Sequence, residues 1–387
     1  MPESPIRKLV PYAEKAKKNG IKVFHLNIGQ PDIETPYSAI EAVKNSNIKV
    51  LAYSKSEGDF ELRNKICDYY SKINIEINES QVIVTSGASE ALLFTIGSIM
   101  DPGSEIIIPE PFYANYNGFS VANGVNIIPI FSSIDNNFEL PKIQEFENLI
   151  SSNTKAILIC NPNNPTGYVY SYDEIKTLVE IVKKHNLFLI ADEVYREFTY
   201  DNVSHTSIMQ FDDIKQHAIV IDSVSKRYSM CGARIGCIIS KNSEFISTAM
   251  KFAQARLSPP TLAQIASTAA MDTGEDYFDK VINEYDNRRK TLVEGLNEIP
   301  GVKVSEPKGA FYCVVELPVD NSEHFAKWLL EEYSLDNETI MVAPAAGFYS
   351  TPNIGQNQVR IAYVLNQNDL ESCINILKNG LMEYLKQ

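Results

Sequence analysis

The segment from position 221 to 236 carries residue types that can form a covalent bond to an aldehyde. It reads Ile-Asp-Ser-Val-Ser-Lys-Arg-Tyr-Ser-Met-Cys-Gly-Ala-Arg-Ile-Gly and begins at the end of an apolar run. Lys226, held among small residues at a predicted strand end, is a nucleophile toward aldehydes. Ser223 and Arg234 supply a hydroxyl and a guanidinium that suit a phosphate. The pattern therefore favours an aldehyde that carries a phosphate, as pyridoxal 5′-phosphate (PLP) does.

A second polar segment, 85–89, joins a predicted strand to a predicted helix. Its sequence is Thr-Ser-Gly-Ala-Ser, and such small side chains let the backbone approach a ligand. Ala88 and Ser89 would present the free N–H groups of a helix N-terminus, which attract anions. Turns of this kind also occur for packing alone, so that interpretation stays open.

Polar residues also follow two further predicted strands. Asn164 lies in Asn-Pro-Asn-Asn-Pro-Thr-Gly, 161–167, where its amide can meet a hydroxyl or a phenolate. A rigid turn fixed by two prolines is the alternative. Asp192 follows a buried run and, if buried itself, needs a cationic partner such as a protonated pyridine. Tyr195 could donate to a ring oxygen, whereas a helix N-cap is the alternative role for Asp192.

Arg360 stands inside a strand predicted over 358–364, late in the chain. Arginine is rarely fully buried without a partner, and its planar fork suits a substrate carboxylate. An arginine on an edge strand, paired to a surface acid, is the alternative.

The elements that must position these residues alternate between apolar runs and amphipathic stretches. Strands are predicted over 81–85, 105–109, 125–130, 155–160, 187–191, 218–221 and 233–240. Helices are predicted over 88–100, 172–185 and 245–273, the last with a break at Pro259-Pro260. This alternation predicts an α/β fold with a mostly parallel sheet covered on both faces. Ligands bind beyond the carboxyl ends of such strands, where these polar residues lie.

The last third of the chain has a different pattern, which predicts a smaller α+β domain. Its predicted elements are a long helix over 275–299, strands over 309–317 and 358–364, a helix over 323–332 and a final helix from about 370. The first ~45 residues carry five prolines and predict an extended arm. We therefore expect an N-terminal arm or small-domain segment over 1–45, a large domain over 46–280 and a small domain over 281–387.

Taken in chain order, the motifs resemble those of the class I/II aminotransferases, the aspartate aminotransferase family of fold type I PLP enzymes. The resemblance rests on Asn-Asn-Pro-Thr-Gly, Asp-Glu-Val-Tyr, Ser-x-x-Lys with an arginine eight residues later, and the distant arginine. It runs from about Leu26 to Tyr363. It implies a large domain built as an α/β/α sandwich and a smaller α+β domain.

The resemblance also implies roles for individual residues around PLP. Lys226 would carry the cofactor and act as the catalytic base. Asp192 would face the pyridine nitrogen, and Tyr113 would stack on the ring. The other implied cofactor contacts are Ala88, Ser89, Ser223 and Arg234 at the phosphate, and Asn164 and Tyr195 at the 3′-oxygen.

Substrate and partner contacts follow from the same resemblance. Arg360 and the backbone of Gly29, with Asn164 nearby, would hold the substrate α-carboxylate. Pro165 would follow a cis peptide bond. Tyr53 would reach the phosphate of a neighbouring subunit, which implies a homodimer with shared active sites.

The implied reaction moves an amino group from an L-amino acid to a 2-oxo acid, with 2-oxoglutarate as the expected acceptor. Arg256 is the candidate that would favour aspartate-type substrates, although a surface arginine on a helix end is an equal alternative. Alanine, aromatic or other neutral amino acids remain alternatives. So does another fold type I PLP enzyme such as a C–S lyase, a decarboxylase or a cyclopropane-forming synthase. The effector-binding domain of a transcription regulator is a rival from another class.

Composition limits the partners. The 387 residues carry a formal net charge of −14, which argues against nucleic-acid or anionic-membrane surfaces. No segment approaches the ~20 apolar residues of a membrane helix. The six cysteines form no Cys-x-x-Cys pair and predict buried free thiols in a reducing cytoplasm. The five histidines are scattered, so we expect no metal site.

Overall fold

A seven-stranded sheet forms the centre of the molecule in the computed structural model, which describes residues 4–387. Thirteen strands occur in that range: β1 (Lys22–His25), β2 (Val82–Thr85), β3 (Glu105–Glu110), β4 (Asn126–Phe131), β5 (Thr154–Cys160), β6 (Phe188–Asp192), β7 (Ala218–Ser223), β8 (Gly236–Ile239), β9 (Lys303–Val304), β10 (Tyr312–Glu316), β11 (Glu338–Met341), β12 (Ala343–Pro344) and β13 (Gln358–Ala362). The central sheet has the order β2-β8-β7-β6-β5-β3-β4. Its pairings are parallel except that β8 runs antiparallel to both neighbours, so the predicted mostly parallel sheet is confirmed.

Helices cover both faces of this sheet. Over residues 4–387 the α-helices are α1 (Val10–Lys18), α2 (Tyr37–Lys44), α3 (Phe60–Ser71), α4 (Ala88–Ile99), α5 (Asn115–Ala122), α6 (Ile143–Leu149), α7 (Tyr172–His185), α8 (Val224–Arg227), α9 (Ser243–Arg256), α10 (Thr261–Ala270), α11 (Glu275–Asn297), α12 (Ser322–Glu331) and α13 (Gln367–Tyr384). None of them in the described range is long and apolar enough to cross a membrane.

The central strands are buried on both sides because apolar side chains point alternately to the two faces. In β6, Ile190 packs into one hydrophobic cluster, while Leu189 and Ala191 pack into the other. In β7, Ile219 belongs to the first cluster and Val220 to the second. The period of two residues therefore builds two cores around one sheet.

Helix boundaries follow local chemistry. The Ser171 side chain accepts a hydrogen bond from the Glu174 backbone amide, and the Glu174 side chain accepts one from the Ser171 backbone amide. This capping box starts α7 where the sequence predicts it. Asn186, in the left-handed region, ends that helix. The break predicted at Pro259-Pro260 is confirmed, since it separates α9 from α10.

Two smaller sheets lie beside the large one. The first has the order β12-β13-β10-β9, and the second is the parallel pair β1 and β11. The N-terminal segment does not form the predicted extended arm, because it contains α1, β1 and α2. Leu9, Ala13 and Ala16 bury α1 in the first hydrophobic cluster, and Pro11 lies in the first turn of this helix, where proline is tolerated.

Candidate active site

The polar residues predicted from separate motifs meet beyond the carboxyl ends of the central strands. Cys160, Asp192 and Ile221 are register partners on β5, β6 and β7, so their strands end side by side. A cavity of about 710 Å³ opens there. The predicted site residues that line it are Gly29, Ala88, Ser89, Tyr113, Asn164, Asp192, Tyr195, Ser223, Lys226, Arg234 and Arg360.

Lys226 lies on the one-turn helix α8, directly after β7. Ser223 starts this helix because its hydroxyl accepts a hydrogen bond from the Ser225 amide at 3.0 Å. The short turn aims the lysine into the cavity, where Nζ donates to the Gly29 carbonyl at 2.7 Å. Its other polar neighbour is Cys231 Sγ at 3.7 Å. The amine is half-buried and reachable from the cavity.

Asp192 ends β6 and is buried. Its Oδ2 accepts a hydrogen bond from the Tyr116 hydroxyl at 2.8 Å. Its Oδ1 has no hydrogen-bond partner among residues 4–387. Burial raises the pKa of this carboxyl to about 6, although the bond from Tyr116 acts in the opposite direction. An unpartnered buried oxygen facing a cavity is suited to a donor that arrives with a ligand.

The segment between β2 and α4 forms a turn at the cavity edge. Gly87 has φ of +83°, a conformation that glycine adopts without strain. A Cβ there would lie 2.3 Å from Arg234 Nη2, so the glycine also lets the guanidinium reach the turn. Ala88 and Ser89 begin α4, and both line the cavity. Free amides at a helix start and an arginine together favour an anion.

Arg360 is 1% exposed and lines the same cavity. Its Nη1 donates to Asn164 Oδ1 at 3.1 Å, and its Nη2 donates to the Asn27 carbonyl. Its Nε has no partner among residues 4–387. Burial lowers the pKa of this guanidinium, while Tyr312 acts in the opposite direction. The Asn164-Pro165 peptide bond is cis, as the resemblance implied.

Three tyrosines, Tyr113, Tyr195 and Tyr312, also line the cavity. The Tyr195 and Tyr312 hydroxyls are 2.9 Å apart. Tyr113 accepts a hydrogen bond from Asn115 at 2.7 Å and packs edge-to-face against Tyr116. Burial raises the pKa of Tyr113 to about 12, so this phenol is neutral at physiological pH.

Two predicted site residues lie outside this lining. Tyr53 is 79% exposed and does not line the cavity of its own chain. Arg256 ends α9 and forms an ion pair with Glu90, in which Nη1 lies 2.7 Å from Oε2. Arg256 is thus paired with Glu90 and does not line the cavity of its own chain.

Sequence reasoning missed three residues that shape the site. Tyr116 holds Asp192, Tyr312 stacks under Arg360 with its ring centroid 4.5 Å from the guanidinium carbon, and Asn27 offers its carbonyl to the same arginine. Asn27 and Tyr116 lie two and three residues from Gly29 and Tyr113, which the sequence analysis did identify. Tyr312 carried no such signal, because its strand looks like any buried strand.

Comparison with known proteins agrees with this geometry. The family described as aminotransferase class I and II matches residues 21–377. The chain belongs to this family.

Among the relatives of this aminotransferase, the aspartate aminotransferase of Pyrococcus horikoshii is 32% identical over 98% of the chain and 94% of its own length. A solved single mutant of Thermus thermophilus aspartate aminotransferase superposes with a TM-score of 0.90 at 26% identity, covering 98% of the chain and 97% of the mutant. Alanine aminotransferase from Pyrococcus furiosus also reaches 0.90, at 29% identity and with coverages of 98% and 98%. The aminotransferase therefore has the fold type I architecture, and its neighbours act on more than one amino acid.

Proposed function

We propose that this aminotransferase uses PLP to move an amino group from an aspartate-type L-amino acid to a 2-oxo acid such as 2-oxoglutarate. The observation that carries the proposal is the convergence of Lys226, Asp192 and Arg360 on one cavity, although they come from distant parts of the chain.

The residues present fit PLP chemically. The free Oδ1 of Asp192 would accept a hydrogen bond from a protonated pyridine nitrogen, and the resulting positive charge would favour the ionised carboxylate. Ala88, Ser89, Ser223 and Arg234 would hold the phosphate. Asn164 and Tyr195 would face the 3′-oxygen, and Tyr113 would cover the ring.

Each chain residue then has a definite task. Bound PLP supplies an electron-withdrawing ring that accepts the electron pair released when the substrate Cα loses its proton. The amine of Lys226 would take that proton from the substrate Cα and hold it for return to the carbon on the cofactor side of the transferred nitrogen. Arg360 orients amino acid and 2-oxo acid alike, because both carry an α-carboxylate. Gly29 places its backbone beside that carboxylate.

A preference for dicarboxylic substrates needs a further cation, and the cavity lining contains one. Arg7 lines the cavity and has no ion pair within residues 4–387. It is available to a side-chain carboxylate, whereas Arg256 is engaged with Glu90. An aminotransferase for alanine or aromatic amino acids is the second candidate, which the similarity to the Pyrococcus furiosus alanine enzyme favours.

Assembly as a homodimer belongs to the same proposal. The segment 37–60 exposes large apolar side chains: Tyr37, Ile40, Ile48, Val50, Leu51, Tyr53 and Phe60. Exposed apolar patches of this kind mark interaction surfaces. A second copy docked here would cover the patch, and Tyr53 of each chain would reach the cofactor phosphate bound by the other chain. The domain division at 46–280 and 281–387 remains a proposal too.

A cytoplasmic location is also proposed. All six cysteines are free thiols, four of them buried, and none is engaged in a disulfide. Free thiols are typical of reducing compartments.

Borohydride reduction and an amino-transfer assay test the function. We expect reduction to fix PLP on the peptide that contains Lys226, as found by mass spectrometry. Lys226→Ala should remove the label and lower turnover by at least ~1,000-fold, because both the covalent link and the base are lost. A label elsewhere, or none, contradicts the proposal. Release of ammonia without transfer to 2-oxoglutarate would favour a lyase.

A further inference from the structure

Arg256 forms hydrogen bonds to three segments of the chain around the candidate phosphate site. Its guanidinium donates to the Glu90 carboxylate at 2.7 Å, to the Ser56 carbonyl at 3.0 Å and to the Val84 carbonyl at 3.2 Å. Val84 is on β2, just before the turn, and Ser56 belongs to the loop that follows Tyr53. The Arg256 side chain is 13% exposed and its Glu90 partner 17%, so solvent screens this pair only in part.

Glu90 links Arg256 to the turn between β2 and α4. Its Oε2, which receives Arg256, also accepts a hydrogen bond from the Ser86 amide at 2.7 Å. Ser86 lies directly before Gly87, and Ala88 and Ser89 follow. The carboxylate therefore fixes the start of the turn whose next residues, Ala88 and Ser89, line the cavity.

The negative charge of Glu90 would oppose the binding of a phosphate, and the positive charge of Arg256 offsets it. A carboxylate in the first turn of α4 suits the helix dipole. It also stands one residue from Ser89, at the place where a phosphate would bring about two negative charges. Arg234 would already be engaged with the phosphate, so without Arg256 the Glu90 carboxylate and the phosphate would repel each other across partly buried space.

We propose that the Arg256–Glu90 pair is a positioning device for the cofactor phosphate: Glu90 holds the turn through Ser86, and Arg256 neutralises Glu90. Arg256 is then a positioning residue that contacts neither cofactor nor substrate. This inference rests on the proposed use of PLP.

The test measures equilibrium binding of PLP to apoprotein by fluorescence or dialysis, with thermal unfolding of each apoprotein beside it. Arg256→Gln should weaken PLP binding ~10-fold or more, since it leaves an unpaired carboxylate beside the phosphate. Glu90→Gln added to Arg256→Gln should restore affinity to within ~3-fold of wild type, because the repulsive charge is gone. Inorganic phosphate, measured as a competitor, should follow the same order.

Arg289→Gln is the matched control. Like Arg256, Arg289 is largely buried and ion-paired: it binds the carboxylates of Asp201 and Asp286, and its side chain is 9% exposed. Unlike Arg256, it has no contact with the turn between β2 and α4 within residues 4–387, and it lies outside the cavity lining. Its PLP affinity should equal that of wild type. An equal loss in this control, an unchanged affinity in Arg256→Gln, or a double variant no better than the single one would overturn the proposal.

A second measurement covers the case in which Arg256→Gln fails to fold. Glu90→Ala removes the acceptor of the Ser86 amide, so hydrogen exchange of the peptide spanning 82–92 should become faster in the apoprotein. Unchanged exchange would overturn the positioning role. Wild-type protein that binds no PLP would instead reject the proposed function, and the two failures are thereby distinguished.

Discussion

The carboxyl group of Asp192 is buried, accepts one hydrogen bond on Oδ2, and leaves Oδ1 without a partner among residues 4–387. Burial raises its pKa to about 6 from an ordinary value of 3.8. The hydroxyl of Tyr116 and the charge of Lys226 lower this pKa, whereas the charge of Asp222 raises it further. The folded apoprotein therefore holds a proton on Asp192 at pH values where the unfolded chain has lost it.

This difference predicts a pH dependence of stability. Because the folded state binds more protons between about pH 4 and 6, the contribution of Asp192 to stability is lost as the pH rises through that window. Asparagine does not titrate, so apo Asp192→Asn should gain about 2 kcal/mol of stability relative to wild type between pH 4 and 6. Urea unfolding at several pH values measures the difference. A difference that stays constant with pH would contradict the assignment.

A second prediction at the residue scale concerns Arg7, which lines the cavity and would set the preference for dicarboxylic substrates. Arg7→Ala should lower kcat/KM for aspartate by ~10-fold or more, since a charge-assisted hydrogen bond is lost, and should leave alanine within ~3-fold. Lys8→Ala is the control, because Lys8 pairs with Glu323 and does not line the cavity. An unchanged ratio of aspartate to alanine turnover in Arg7→Ala would leave Arg7 without a role in specificity.

At the scale of elements, the antiparallel strand β8 packs against the turn between β2 and α4. We call this segment the phosphate turn, because the cofactor phosphate would bind there. Gly236 pairs with Thr85 on β2 and with Ser223 on β7. A Cβ on Gly236 would lie 2.6 Å from the backbone nitrogen of Ala88 and 2.6 Å from the carbonyl carbon of Gly87. The absence of a side chain at this position therefore lets the turn lie against the strand.

Gly236→Ala should consequently destabilise the protein by about 1–3 kcal/mol, because backbone atoms must move. It should also weaken PLP binding, since the atoms displaced belong to the phosphate turn. Gly232→Ala is the matched control, because a Cβ there meets nothing within 4 Å. Urea unfolding and PLP titration measure both variants. Equal effects of the two substitutions would show that contact with the turn is not the cause.

The elements show what sequence can and cannot predict. Strands such as β5 and β6 were predictable because short apolar runs are bounded by polar turns, and the cavity residues follow from parallel strands ending at one edge. The pairing of Arg256 with Glu90 spans 166 residues and depends on how α9 packs against α4, which periodicity does not encode. The helix α1 was missed because tertiary burial, rather than a strong local pattern, fixes it.

At the scale of the whole molecule, the apolar segment 37–60 predicts the oligomeric state. Val50 and Leu51 are 76% and 64% exposed, so a second copy that covers them would remove a large apolar area from water. We expect a dimer by sedimentation analysis, and a monomer with little activity for the variant Val50→Glu/Leu51→Glu. Leu385→Glu, an exposed leucine of the last turn of the chain, should remain dimeric. A wild-type monomer with full turnover would exclude shared active sites.

The parallel pairing of β1 with β11 has a consequence for biosynthesis. Lys22 and Glu338 are partners although 316 residues separate them. During translation the early strand therefore emerges from the ribosome long before the late one exists, and its exposed edge must wait or be shielded by a chaperone. The β1–β11 pair can therefore form only after the ribosome has synthesised β11.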